Sequence, residues 1–202
     1  MRTKAFTVIE MITTVIILGI IAVILIVNMR PNQIKKETLI KAGKASYIQV
    51  DYATAQLIAK NTKNYTLARV VGDSGEFSIA SSSNTAALIN VYKKRLRGLR
   101  SKTLSSAYKN ADLKNEAGSV VKSGLSVSDF TGFTTKDAGY FGVRLHGNCT
   151  TSETYLYNPV RPTLRTQSNS CGQIFFDVNG EQEPNTLGID QYLVSLTLNG
   201  VR

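Results

Sequence analysis

The hydrophobic pattern begins with a long apolar stretch that runs from Phe6 to Val27 and contains a single acid, Glu10. As an α-helix this stretch would be about 33 Å long at a rise of 1.5 Å per residue. That length matches the roughly 30 Å hydrocarbon core of a bilayer. Basic residues precede the stretch, which favours a cytoplasmic N-terminus. The pattern therefore predicts a transmembrane helix at residues 6–30.

The pattern after Pro31 is that of an amphipathic helix. Its apolar residues form one stripe, and its lysines lie on the other faces of the helix. Residues 31–62 are therefore predicted to continue the first helix and to pack the apolar stripe on the rest of the chain. The alternative is two separate helices with a hinge near Pro31. The members of the predicted stripe recur at steps of three and four: Ile34, Thr38, Ala42, Ala45, Ile48, Tyr52, Ala55 and Ala59.

Residues 63–202 change character and predict a globular head. Residues 70–85 are rich in Ser and Gly and predict a loop, and an apolar stripe predicts a second helix within 85–110. Residues 124–134 fit either a loop or an edge strand. Short segments rich in β-branched and aromatic residues predict an antiparallel sheet over about 139–200, at 139–147, 154–158, 173–180 and 191–200. The expected fold class is α+β, with one long N-terminal helix packed on a C-terminal antiparallel sheet.

The charge balance is strongly basic, with a formal net charge of +10. Such a charge favours anionic partners without choosing among them. The most concentrated cations lie in the predicted second helix, where they predict a nucleic-acid patch that contacts the phosphate backbone. The alternative is a solvated helix face opposite the core. The patch consists of Lys93, Lys94, Arg95, Arg97, Arg100 and Lys102.

The segment "KAFTVIEMITTVIILGIIAVI" resembles the prepilin signature of type IV pilins and type II secretion pseudopilins. The resemblance implies that a prepilin peptidase removes the basic leader 1–5 by cutting between Ala5 and Phe6, and that the new N-terminus is methylated. Ala5 stands where the family usually has Gly. Glu10 falls fifth in the mature chain, as the family's glutamate does. The resemblance implies that Glu10 pairs with the α-amine of Phe6 on a neighbouring subunit and sets the stagger of packed helices.

The expected function is therefore a structural subunit of a type IV pilus-like filament. The resemblance implies a single-pass protein of the inner membrane with its head outside the cytoplasm, partnered by an assembly platform and an ATPase. The alternatives are a type II secretion pseudopilin, a minor pilin that binds DNA through the basic helix, and a membrane-anchored domain that never assembles. The chain has no G-x-S-x-G, H-E-x-x-H or P-loop motif, so no enzymatic activity is expected.

Two further features lie near the C-terminus. The only cysteines, Cys149 and Cys171, are expected to form a disulfide if the head is exported, and a reduced structural pair is the alternative. Oxygen-bearing side chains crowd residues 177–190, and Ca²⁺ prefers such ligands, so this loop is a candidate calcium site. The alternative is a β-turn held by Asx hydrogen bonds. The candidate ligands are Asp177, Asn179, Glu181 and Asp190, and no other cofactor is expected.

Overall fold

A computed structural model describes residues 8–28, 31–62, 64–96, 104–120, 125–136, 138–157 and 163–202. Within these residues, side chains are described except at 8, 10, 21–34 and 153–165. The chain divides into two compact units, Met1–Glu37 and Thr38–Arg202. Each unit is considered by itself below.

Two helices open the described chain, α1 (Val8–Asn28) and α2 (Pro31–Asn61). Proline is well placed at the first position of a helix, because its missing N–H would have had no intrahelical acceptor there. Residues 29–30 lie outside the described part of the chain, so the predicted continuity of one helix across them stays a prediction.

The predicted localisation needs correction. A membrane-spanning helix needs about 20 consecutive apolar residues to cross the hydrocarbon core. In the part of the chain that the structure describes, no helix combines sufficient length with sufficient apolar character to cross a membrane. The prediction of a single-pass inner-membrane protein with a transmembrane segment at 6–30 is therefore wrong on this finding.

The remaining described elements form an α+β fold in which the paired strands are antiparallel, as the sequence predicts. One sheet has five strands in the order β3-β4-β7-β8-β9, and β1-β2 and β5-β6 form two-stranded ribbons. In chain order the elements are β1 (Val70–Gly72), β2 (Gly75–Phe77), α3 (Thr85–Arg95), α4 (Ser106–Lys109), β3 (Thr131–Thr134), β4 (Tyr140–Leu145), β5 (Thr151–Tyr157), β6 (Thr163–Ser170), β7 (Gly172–Asp177), β8 (Gln191–Thr197) and β9 (Gly200–Val201).

The five-stranded sheet is covered on both faces. Successive side chains of a strand point to opposite faces, so Phe175 of β7 enters one core and its neighbours Ile174 and Phe176 enter the other. The first core lies under α2 and α3 and includes Leu57. The second core lies under the segment that contains α4 and includes Leu104. Burial on both faces explains why β7 and β8 lack the polar alternation of a half-exposed strand.

The buried face of α2 is not the predicted one. The side chains of Val50, Ala53 and Leu57 are buried against the sheet. From Ala45 onwards the predicted stripe faces solvent instead, with Ile48 66% and Tyr52 64% exposed. The helix therefore carries apolar residues on two faces, and helical spacing alone does not say which one meets the sheet.

A close approach at Gly43 fixes that choice. Gly43 is buried, and a Cβ placed on it would lie 2.1 Å from ring atoms of Tyr192 in β8. The Tyr192 ring is stacked on Phe176 at a centroid distance of 5.1 Å, and its hydroxyl donates to the carbonyl of Ile189. Only a glycine at this position lets the helix come so close to the sheet.

The second predicted helix is shorter than expected. The helix α3 ends at Arg95, with Leu96 as its C-cap. Ser105 is extended, with φ −63° and ψ 149°, and its hydroxyl accepts from the backbone N–H of Tyr108 at the start of α4. A single helix over 85–110 is therefore wrong, because the extended backbone at Ser105 interrupts it.

Strands β1 and β2 lie where the sequence predicted a loop, and strand β6 lies between two of the predicted strands. Strands β1 and β2 pair through a turn that begins at Gly72 and ends at Gly75, whose φ of +102° favours glycine. Strand β6 pairs with β5 along its length. Strand β3, assigned to a loop or an edge, is an edge strand of the main sheet.

The predicted disulfide is confirmed: Cys149 and Cys171 are bonded across a sequence separation of 22. Cys171 is fully buried immediately before β7, and its backbone N–H donates to the carbonyl of Leu196 in β8. The bond therefore joins the start of the β5-β6 ribbon to the main sheet.

We expect Gly43→Ala to lower the free energy of unfolding by about 1–3 kcal/mol, because its methyl group would overlap the Tyr192 ring. At an unhindered helix position the same change would stabilise the protein by about 1 kcal/mol. The measurement is urea denaturation followed by circular dichroism. In a Tyr192→Leu background the loss should largely disappear, and an equal loss in both backgrounds would contradict the proposed contact.

Candidate functional site

The predicted processing and assembly residues lie at the start of the chain. Ala5 and Phe6 fall outside the described residues. Glu10 lies in α1, but its side chain is not among those described. The apolar side chains around it are more than half exposed, at between 51% and 68% of their surface. These side chains are Ile9, Met11, Ile12, Val15, Ile16, Ile17, Leu18 and Ile20.

The solvent-facing side of α2 forms a second exposed apolar surface, which we call the outer stripe. It combines two large side chains, Ile48 and Tyr52, with small ones that leave the helix surface low around them. All its members are exposed on one face of α2, away from the buried Leu57. The outer stripe consists of Ala45, Ile48, Tyr52, Ala55 and Ala59.

The predicted nucleic-acid patch is only partly described, because Arg97, Arg100 and Lys102 fall outside the described residues. Of the other cations, Lys94 and Arg95 make polar contacts within the chain. The Nζ of Lys94 lies 2.5 Å from the Oδ1 of Asp73. Arg95 is half-buried, and its guanidinium donates to the side-chain oxygens of Gln56 and Asn61. Lys93 is half-buried on the same helix. Binding of nucleic acid by the patch stays a prediction.

The candidate calcium loop encloses a pair of buried carboxylates, those of Asp177 and Asp190, which are 2% and 0% exposed. The carboxylate of Asp177 ends β7 and accepts four hydrogen bonds. Its Oδ1 accepts from the backbone N–H groups of Asn179 and Gly180 at 3.1 and 2.8 Å. Its Oδ2 accepts from the hydroxyl of Tyr108 at 2.8 Å and from the amide of Gln191 at 3.1 Å.

The other candidate ligands also make hydrogen bonds within the head. Asp190 accepts from the backbone N–H groups of Asn185 and Thr186, at 2.8 and 2.7 Å. Glu181 accepts from the backbone N–H of Ser105 at 2.6 Å. The side chain of Asn179 donates to backbone carbonyls of its own loop. Over the described ranges, no three acidic, His or Cys side chains are grouped to hold a metal ion. Calcium binding stays a prediction.

The electrostatics of the pair follow from its burial. Burial and the nearby charge of Asp190 raise the pKa of Asp177 from 3.8 to about 7, although its hydrogen-bond donors oppose the rise. Burial also raises the pKa of Asp190. The pKa of Tyr108 is raised by burial and by the adjacent Asp177, so its hydroxyl stays a donor. The pair is therefore most stable when at least one carboxyl is protonated.

Sequence reasoning missed Tyr108 and Gln191 as members of this cluster. Tyr108 is 69 positions from Asp177 in the chain, and no local spacing connects them. Gln191 follows Asp190 directly, but its partner is at the far end of the loop. The pair of Gln191 and Asp177 forms only when β7 and β8 are in register, and the pair of Tyr108 and Asp177 forms only when α4 packs on the sheet.

Comparison with known proteins adds no relative. No protein-family model matches the chain, and neither the curated proteins nor the solved structures contain a significant match.

The raised pKa of Asp177 predicts how stability depends on pH. The native state holds this proton more tightly than the unfolded chain, whose carboxyl has an ordinary pKa near 4. The stabilisation is complete below about pH 4 and is lost as the pH rises through about 7. We therefore expect the free energy of unfolding to be lower at pH 8 than at pH 5 by a few kcal/mol.

Urea denaturation at a series of pH values is the measurement. Asp177→Asn should flatten the decline between pH 5 and pH 8, because the variant has no proton to lose there. Asp112→Asn, which replaces an exposed carboxylate, is the matched control and should leave the slope unchanged. A slope that survives in Asp177→Asn would show that another group causes the pH dependence.

Proposed function

We propose that this chain is a structural subunit of a type IV pilus-like filament. In this proposal a prepilin peptidase cuts between Ala5 and Phe6, and copies of α1 then pack together to form the filament. The resemblance of the N-terminal segment supports the processing step. The observation that carries the proposal is the large apolar surface that the described chain leaves exposed on its helices.

The exposed surface of α1 supports self-assembly. Side chains of α1 are described at residues 9 and 11–20, where the eight large apolar ones point in all directions around the helix and are each at least 51% exposed. A helix that is hydrophobic all round is normally buried. Burying one Ile or Leu side chain contributes about 1.5–3 kcal/mol. Packing among copies of α1 would supply this burial many times over.

The outer stripe of α2 supports the same proposal. Ile48 and Tyr52 are each almost two-thirds exposed, although the other face of α2 already fills the core of the head. A helix that merely covers a sheet would carry polar residues on its solvent side. Alanines at positions 45, 55 and 59 let a neighbouring helix approach closely. In the filament, the outer stripe would contact another copy of the chain.

Glu10 has a specific role in this proposal. A carboxylate buried among apolar helices is costly unless it is paired. Cleavage after Ala5 would give Phe6 a free α-amine, which lies too close in sequence to reach Glu10 well along the same helix. The amine of a neighbouring copy would serve as the partner. The pair would then fix the stagger between adjacent helices.

We expect Glu10→Gln to leave cleavage intact and to reduce incorporation into filaments at least tenfold. The substitution keeps the shape of the side chain and removes its charge, so the pair with Phe6 loses its attraction. N-terminal mass spectrometry measures cleavage, and the chain content of sheared surface filaments measures incorporation. Thr14→Val is the control on the same helix. Normal filament yield from Glu10→Gln would contradict the pairing.

We expect Ile48→Asp to reduce filament yield strongly, because the aspartate would bring an unpaired charge into a contact between copies. Gln49→Asp is a matched control, since it introduces the same residue at the next exposed position of α2, about 100° around the helix. Both variants should melt like the parent chain in circular dichroism. Equal yields from the two variants would remove the outer stripe from the assembly.

A further inference from the structure

A polar cavity of about 420 Å³ lies where the end of α2, the β1-β2 hairpin and the end of α3 meet. Lys94 and Arg95 of α3 supply two positive charges to its lining, and Asp73 of the hairpin supplies one negative charge. The amides of Gln56 and Asn61 lie on the α2 side. We call this space the Arg95 cavity.

The charges in the Arg95 cavity do not balance. The acid Asp73 is bonded to Lys94 at a distance of 2.5 Å. Among the described residues, Arg95 has only neutral acceptors, the side-chain oxygens of Gln56 and Asn61, and no carboxylate within ion-pair distance. Its Nε–H is buried, and no acceptor for it lies in the part of the chain that the structure describes. Charged groups withdrawn from water are normally paired.

The position of Arg95 explains only part of this arrangement. Arg95 lies in the last turn of α3, where the carbonyl ends of the helix favour a cation. That effect is equivalent to roughly half an elementary charge at most. It gives no acceptor to Nε, and an unsatisfied buried donor costs about 1–3 kcal/mol.

We propose that the Arg95 cavity binds a small carboxylate. A guanidinium offers parallel N–H groups in a planar fork that matches the two oxygens of a carboxylate. A carboxylate that took over from Asn61 at Nη2 would bring its second oxygen to Nε. The excess of one positive charge matches a single carboxylate rather than a phosphate dianion.

The direct experiment follows the Nε–H resonance of Arg95 by NMR, in the full chain kept monomeric with a zwitterionic detergent. Sodium succinate is titrated against sodium phosphate and sodium chloride at equal ionic strength. A saturable shift that is larger with succinate is the expected result. Stronger binding of phosphate would overturn the assignment to a carboxylate, and a response no greater than that to chloride would overturn the site.

Variants of the cavity residues show whether succinate is bound by the planar guanidinium of Arg95 or by positive charge alone. Binding to them is followed at the backbone amide of Gly72, which lines the cavity. Arg95→Lys keeps the charge without the fork and should weaken succinate binding at least tenfold. Asp73→Asn changes an exposed acid and should tighten binding by about threefold, since it removes a repulsive charge.

Lys60→Gln is the matched control, because it removes an exposed cation of α2 that does not line the cavity. It should alter succinate binding by less than threefold. Equal losses in Arg95→Lys and Lys60→Gln would overturn the fork. If Arg95→Lys fails to fold, the response of the parent chain together with the gain in Asp73→Asn still decides the proposal, because an unchanged affinity in Asp73→Asn contradicts it.

Discussion

The contact between Gly43 and the ring of Tyr192 determines how the head is organised. It allows α2 to approach the sheet so closely that the helix must present the side on which Gly43 lies. Val50, Ala53 and Leu57 then follow into the core along the same side. Any larger residue at position 43 would hold the helix away from β8. The choice of buried face also decides which apolar residues remain outside, and so creates the outer stripe.

The same placement of α2 organises the polar contacts with α3. The hydroxyls of Thr54 and Tyr92 lie 2.7 Å apart in the interior, and the Tyr92 ring packs on Phe141 of the sheet at a centroid distance of 5.1 Å. Arg95 extends from the end of α3 to Gln56 of α2. Tyr92 faces α2, and Arg95 lies three residues later on the same face of α3, so its guanidinium also reaches α2. The cationic cavity is therefore a consequence of how the two helices pack.

The sequence predicts well those elements whose signal is local. Strands β4, β7 and β8 are short apolar runs bounded by turn residues, and they form where predicted. The disulfide follows from there being only two cysteines. The rest depends on information that is not local. Strand β6 is mostly polar, "TLRTQSNS", so it carries no hydrophobic period, and only its pairing with β5 makes it a strand.

The outcome for α2 shows a different limit. Helical spacing identifies the helix correctly, yet the predicted stripe is the exposed one. Two apolar faces give the same period, and the residue that distinguishes them is a glycine with no hydrophobicity of its own. Local sequence does not predict the contact between Tyr108 and the carboxylate of Asp177 either, because the two residues meet only when the segment around α4 covers the far face of the sheet.

The two layers that cover the sheet differ in what holds them. The layer of α2 and α3 rests on apolar packing, with the neutral hydroxyl pair of Thr54 and Tyr92 in its interior. The layer around α4 is also apolar, but it is joined to the sheet through the carboxylate of Asp177. Asp190 in turn holds the backbone of the loop that borders this layer. Because both carboxyls are buried close together, ionising the second one weakens the attachment of the α4 layer to the sheet. Acid therefore strengthens this attachment, whereas the Tyr92 hydroxyl in the α2 layer stays neutral, because burial raises its pKa.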